Sequence, residues 1–174
     1  MKTNFKMVCV LSIVILTMSC AAPQSNGNNT FNSTLWLQTS SEYKANAIQA
    51  YNSAAHNIRQ AIADRSWTSA LEQGPNGSSL PPAIILDVDE TVLNNSQYQA
   101  RLLIDGATFD PESWDRWIAN RSAPSVPGAV DFINSVSAMG VEVIFITNRE
   151  CIPRSEGGPP CPQETDTIEN LHKV

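Results

Sequence analysis

An α/β fold built on a parallel sheet is predicted by three features of this 174-residue chain. Two apolar runs, Ala83-Ile84-Ile85-Leu86 and Val141-Glu142-Val143-Ile144-Phe145-Ile146, read as strands buried on both faces. Helical spacing fills the stretch between them, and strand, helical crossover, strand is the parallel plan, with the right-handed connection such units adopt. Both runs end in polar residues, Asp87-Val88-Asp89-Glu90-Thr91 and Thr147-Asn148-Arg149. Open parallel sheets gather their working groups at that carboxyl edge. With 42% hydrophobic residues the chain has material for one domain.

The N-terminus has the parts of a secretory signal over residues 1–19: Lys2 and Lys6, the apolar run Met7 to Met18, then small residues. It is too short to span a bilayer comfortably. Leu16-Thr17-Met18-Ser19-Cys20 resembles a bacterial lipobox, with Thr17 where Leu is commoner. Lipidation of Cys20 would anchor an exported protein in the outer membrane or periplasm. The alternative is an ordinary cut after Ala22 that discards Cys20, and Pro23 just beyond that cut disfavours it.

Residues 20–34, rich in Asn, Ser, Gly and Pro, suit a flexible tether, which leaves 35–174 as the folded body. Thr39-Ser40-Ser41-Glu42 matches a capping box. Ala47, Tyr51, Ala54, Ile58 and Ala61 then recur at helical spacing, so a long helix should run to about Arg65. His56 lies on it without an acidic or cysteine companion and reads as a surface or packing residue. A short helical piece around Trp67 to Gln73 should end at the turn Gly74-Pro75-Asn76-Gly77.

Between the strands, Asp110-Pro111-Glu112 looks like an N-cap with proline at the first helical position, opening a helix through Trp114, Trp117 and Ile118. Pro127 opens another, with Ala129, Phe132, Ile133, Val136 and Met139 on one face and Gly140 as the stop. A last helix is expected from near Asp166, with Ile168 and Leu171 inward. No internal repeat is visible.

From residue 20 onward 9 Lys and Arg face 17 Asp and Glu, a balance of −8, which repels a nucleic acid polymer and argues against a basic membrane-adsorbing face. Once Cys9 leaves with the signal and Cys20 is acylated, Cys151 and Cys161 are left, and in an oxidising compartment they are expected to pair. A metal site or two free thiols are the alternatives, although two cysteines with no nearby His make a poor zinc site.

Two carboxylates separated by one residue at a strand exit can take separate tasks. Asp87 would attack phosphorus, while Asp89 would protonate the leaving alkoxide and later deprotonate the hydrolytic water. An anion attacking an anion needs help, since two unit charges at 4 Å repel by ~4 kcal/mol at an effective dielectric of 20. Mg²⁺ suits such oxygen ligands and such a task. Thr147 and the N–H groups beside it would hydrogen-bond the phosphoryl oxygens. The bland reading of Asp-x-Asp is a solvated strand exit. An EF-hand is excluded, because the sixth position from Asp87 is Val92 and the twelfth is Tyr98. No Gly-rich phosphate loop or G-x-S-x-G elbow offers a rival centre.

The stretch Ile85-Leu86-Asp87-Val88-Asp89-Glu90-Thr91-Val92-Leu93-Asn94-Asn95-Ser96-Gln97-Tyr98 resembles the first motif of the haloacid-dehalogenase superfamily, in the form used by class C bacterial acid phosphatases and 5′-nucleotidases. Phe109 to Trp117, Val126-Pro127-Gly128-Ala129 and Ile146-Thr147-Asn148-Arg149 add to the likeness, which extends from about Leu35 to the end. It implies a Rossmann-like core behind an N-terminal helical segment, a small cap, Mg²⁺, and release of phosphate from monoesters, often 5′-nucleotides, outside the cytoplasmic membrane. By the same resemblance Asp87 is nucleophile and metal ligand. Asp89 is the acid/base and gives its backbone carbonyl to the metal, and Thr147 binds phosphate with Asn148 beside it. Trp114 stands where relatives stack an aromatic on the nucleoside base; base stacking and helix packing both remain open for Trp114, and packing is expected of Trp117.

The superfamily's third-motif Lys and fourth-motif acidic pair have no counterpart, since Lys173 follows Thr147 too closely. The expectation is a fold incomplete at the C-terminus, with an unpaired hydrophobic sheet edge, weak stability and poor Mg²⁺ binding. A non-catalytic surface lipoprotein, or a vestigial binding module, is therefore the alternative function. Haloacid dehalogenation is disfavoured because halide release would leave Asp89 without a task.

Overall fold

In the computed structural model, residues 30–74 and 76–174 are described. The signal at 1–19, lipidation at Cys20 and most of the 20–34 tether lie outside them.

Helix α1 spans Phe31–Thr39, so residues 31–34, expected in the tether, belong instead to the folded body, where Thr34 is buried. Helix α2, Ser41–Ala63, is the expected long amphipathic helix. Its cap is Ser40, one residue later than the capping box suggests. The Ser40 hydroxyl accepts from the N–H groups of Glu42 (3.1 Å) and Tyr43 (3.3 Å), while Thr39 closes α1 by donating to the Leu35 carbonyl at 2.7 Å. Tyr51, Ala54, Ala55, Ile58 and Ile62 form its inward stripe, and His56 is exposed.

The helix expected around Trp67 to Gln73 is absent; the segment is a series of turns. Side chains there compete for the backbone: Asp64 accepts from the Ser66 N–H (3.0 Å) and hydroxyl (2.6 Å), and Thr68 accepts from the Ala70 N–H (3.1 Å).

Strands β1, Ala83–Leu86, and β2, Glu142–Phe145, pair in parallel with Ala83 opposite Glu142 and Leu86 opposite Phe145. The Ile146 N–H reaches the Leu86 carbonyl at 2.9 Å and continues the ladder to the reactive edge. One face of the sheet is covered and the other is open, contrary to the expectation of burial on both. Ile85 is 65% exposed, and Ile144 and Ile146 on the same face are also open, because no layer of the described residues covers that face.

Three helices connect the strands: α3 (Ser96–Ile104), α4 (Pro111–Asn120) and α5 (Ala129–Ala138). Helix α3 has no counterpart in the sequence reading. Asp110 caps α4 by accepting from the Ser113 N–H at 2.8 Å, with Pro111 in the first turn as predicted. Helix α5 buries Ala129, Phe132 and Val136, as its periodicity requires. At its start Gly128 has φ +88°, and a Cβ there would lie 3.3 Å from the Ile48 Cα and from the Tyr51 ring. That close approach seats α5 directly on α2.

Helix α6, Pro162–Leu171, starts four residues before the expected Asp166, with Pro162 in its first turn. Its buried face is polar: Gln163, Asp166, Thr167 and Asn170, while Ile168 is 48% exposed rather than inward. Leu171 does pack inward, against the clusters around Val88, Leu93 and Val92. No described helix is long and apolar enough to cross a membrane.

Candidate active site

Beyond β1 the chain folds back tightly. The Val88 carbonyl accepts from the N–H groups of Val92 (2.8 Å) and Leu93 (2.9 Å), and the Glu90 N–H returns to the Leu93 carbonyl (2.8 Å). Val88 and Leu93 are wholly buried in this loop, so the acids between them are aimed by a packed core. Glu90 takes φ +56°, an uncommon conformation for a residue with a side chain. The Tyr51 hydroxyl of α2 donates to the Thr91 carbonyl, tying the loop to the N-terminal helix.

Asp87 emerges at the end of β1 with its carboxylate exposed, and its Oδ1 accepts from the Val88 N–H at 2.7 Å. Asp89 is held far more closely. Its Oδ1 receives Arg149 Nη2 at 2.6 Å, Asn95 Nδ2 at 2.9 Å and Arg149 Nε at 3.2 Å. Its Oδ2 receives Arg149 Nε at 3.1 Å and the Thr147 hydroxyl at 3.4 Å. Thr147 and Arg149 stand just past β2, so the two strand exits meet at Asp89. Asn148 lies exposed beside them.

Glu90 lies next to this pair. Although its surface is largely open, protein mass around its carboxyl raises its pKa, and hydrogen bonds from the Asn95 N–H (2.8 Å) and Nδ2 (3.5 Å) act in the opposite direction. Asn95, 1% exposed, is the hub: its Oδ1 accepts from Trp117 Nε1 at 2.8 Å while its amide nitrogen serves both acids.

Trp117 packs against Val88, Leu93 and Ala123, the packing role expected of it. Trp114 meets Tyr98 edge-on at 5.1 Å and Phe109 at 6.4 Å between ring centroids, and the Arg149 guanidinium lies 5.6 Å from its ring centre.

A second polar layer clamps α4 to α6. Arg154 donates to Asp115 through Nε (2.7 Å) and Nη2 (2.9 Å), and pairs with Asp166 at 2.7 Å. Arg121, in the left-handed conformation that ends α4, donates to Asp166 at 2.6 Å and pairs with Glu169. Arg154 holds the Asp115 carboxyl below the usual aspartate range, and the carboxylates raise the Arg154 pKa in return. Cys151 and Cys161 form the expected disulfide, closing the loop that carries Arg154. Lys173 donates to the Arg121 carbonyl at 3.3 Å, at the end of α4 and away from Asp87, so the structure gives it no phosphate-binding place.

Among the described residues no three acidic, histidine or cysteine side chains come together to hold a metal ion. The expected donors are the open Asp87 carboxylate and the backbone carbonyl of Asp89. Hard oxygens of this kind fit Mg²⁺, which retains several waters and takes phosphate oxygens as ligands instead of requiring an all-protein cage. The Asp89 carboxylate is taken up by Arg149 and Asn95.

Sequence reasoning reached Asp87, Asp89 and Thr147 but gave no role to Asn95, Glu90 or Arg149. All three lie inside the quoted motifs. What was missing was a partner: Arg149 meets a carboxylate 60 residues earlier, and no local spacing encodes that pairing.

A parallel sheet with paired acids at one strand exit and a hydroxyl at the next defines the phosphatase-like class of α/β fold. The family model described as HAD superfamily, subfamily IIIB (acid phosphatase) matches residues 14–173. The chain belongs to that family, whose superfamily's phosphatases generally use a divalent metal. Two structures of the class C acid phosphatase from Bacillus anthracis, one of them with tungstate bound, are each similar at 34% identity with a TM-score of 0.65. The alignment covers 82% of this chain and 51% of that one. Acid phosphatase 1 of Solanum lycopersicum is 32% identical over 105 residues, 60% of this chain and 36% of the relative. The chain thus spans about half the length of the solved relative, and less of the plant one.

Proposed function

We propose that this chain supplies the nucleophile, the acid/base and a phosphate-binding hydroxyl of an exported, Mg²⁺-dependent phosphomonoesterase. Its substrates would include 5′-nucleotides, and lipid at Cys20 would hold it in the outer membrane or periplasm. The observation that carries the reading is the open Asp87 carboxylate at the end of β1, two residues before Asp89 and beside the exit of β2, where Thr147 meets Asp89.

Asp87 keeps one oxygen on the Val88 N–H, so the other is the attacking atom. As its bond to phosphorus forms, the ester P–O bond breaks, and the leaving alkoxide takes the proton that Asp89 carries. Water then gives a proton to Asp89 and bonds to phosphorus; the Asp87–phosphorus bond breaks, releasing phosphate and restoring the carboxylate. Thr147 can turn its hydroxyl from its long contact with Asp89 to a phosphoryl oxygen. A bound divalent cation would supply charge neutralisation between Asp87 and the phosphoryl oxygens. Trp114 has an aromatic face suited to a nucleoside base, although Arg149 already lies against its ring.

Whatever hydrolysis of p-nitrophenyl phosphate the purified protein shows with Mg²⁺ should fall by ~10³-fold or more in Asp87→Asn. Retained activity in that variant would sink the reading. Tungstate, bound in the Bacillus anthracis relative, should compete with substrate. Incorporation of labelled fatty acid, lost on Cys20→Ser, checks the anchor.

A further inference from the structure

Arg149 is an arginine at a phosphate-handling site, yet every one of its nitrogens is already engaged by the protein. Nη2 and Nε make a fork on Asp89, at 2.6 Å to Oδ1 and 3.1 Å to Oδ2. Nη1 donates to the Thr167 hydroxyl at 2.8 Å. That hydroxyl spends its own hydrogen on the Gln163 carbonyl at 2.6 Å, so it meets Arg149 as an acceptor. Trp114 lies against the guanidinium, and the side chain is 4% exposed. Each of the three guanidinium nitrogens therefore has a protein acceptor, and the buried side chain is directed at Asp89 and Thr167.

We infer that Arg149 is a positioning residue that sets the Asp89 carboxylate for proton transfer, with Trp114 of α4 and Thr167 of α6 holding the guanidinium in place. The inference rests on Asp89 being the acid/base. The two carboxylate oxygens are not equivalent. Oδ1 has two close donors, Arg149 Nη2 and Asn95, whereas the nearest donors to Oδ2 are at 3.1 and 3.4 Å. Oδ2 is therefore the oxygen that gives and takes the proton. Arg149 and Asn95 fix Oδ1 like a hinge pin, and the plane of the carboxylate follows.

Leaving-group dependence separates this role from plain structural support. The p-nitrophenolate leaves without needing a proton, whereas an alkoxide needs one. Arg149→Met, which keeps the bulk and loses the fork, should lose at least ~10-fold more kcat on an alkyl phosphate than on p-nitrophenyl phosphate, with Asp89→Asn showing the same split. The double variant should be no slower than Asp89→Asn alone. Arg149→Lys, which keeps the charge without the fork, should fall between wild type and Arg149→Met. Equal losses on both esters, or losses that multiply in the double variant, would overturn the inference.

The Trp117 indole N–H gives a reading that needs no turnover, since it bonds the Asn95 carbonyl oxygen whose amide holds Asp89. In a ¹H–¹⁵N spectrum of the full chain, its signal should move in both Arg149→Met and Asp89→Asn; a stationary signal in Arg149→Met would also overturn the inference. Full activity in Asp87→Asn would instead remove Asp87 as the nucleophile and leave this spectral test of the Arg149 fork standing.

Discussion

The two sides of this molecule are held together by different physics. On one side, α2 and α5 meet the covered face of the sheet through Phe132, Val136 and Val141, with Tyr51, Ile58, Ile62, Ile84 and Val143 packed around them. On the other, α4, α6 and the loop after β2 meet through Asp115, Arg121, Arg154, Asp166 and Arg149, and α6 turns its polar residues inward. Apolar burial is non-directional and tolerates small shifts; the polar side is fixed atom by atom. The more directional half is the one that frames Asp89.

The sharpest way to break the comparison is to damage each half alone. Phe132→Ala on the apolar side should cost about 3–5 kcal/mol in chemical denaturation, with little dependence on salt. Asp166→Asn on the polar side should cost about 3 kcal/mol, near the lower end for a broken buried pair, because Arg121 and Arg154 each keep about a third of their side-chain surface in solvent. Its loss should shrink at high salt. A similar loss at low and high salt would mean that packing, and not charge, holds this side too.

Reducing the Cys151–Cys161 bond, which closes a loop of sequence separation 10, should lower stability by about 2–3 kcal/mol in the chain-entropy account. Thermal melts with and without reductant measure it.

The smallest expected effects come from two carboxyls with opposite pH signatures. Glu90 has a raised folded pKa, so the stability it contributes is whole below its ordinary value of 4.5 and is lost as pH rises through the folded value. Asp115 has a lowered one, so its contribution is present above 3.8 and is lost as pH falls through the folded value. Glu90→Gln should therefore flatten the upper side of the stability–pH curve, and Asp115→Asn the acid side. Denaturation midpoints between pH 2 and 8 read both.

The same contrast explains what could be read in advance. The stripe of α2, the face of α5, the Asp110-Pro111 start of α4 and both strands follow from periodicity and capping, because burial and caps leave local marks in sequence. Helix α3 left a weak mark: within Ser96–Ile104 it buries only Ser96, Tyr98 and Leu102. Helix α6 was misplaced for a related reason. Its inward residues look like solvent-facing ones until Arg121, Arg149 and Arg154, 12 to 45 residues away, are brought against them. At the site, the acids and Thr147 declared themselves by their position at strand ends. Asn95 and Arg149 could be linked to Asp89 only once the fold set them beside it.

One contact outside the chemistry bears on how this protein can be handled. Since the Tyr51 hydroxyl serves the Thr91 carbonyl, the helix ahead of the sheet is a strut for the loop that carries Asp87 and Asp89 and not a dispensable leader. Shortened forms starting at β1 would lose that support and the seat that Gly128 makes for α5. A pull on the N-terminus would in turn load the backbone two residues from Asp89.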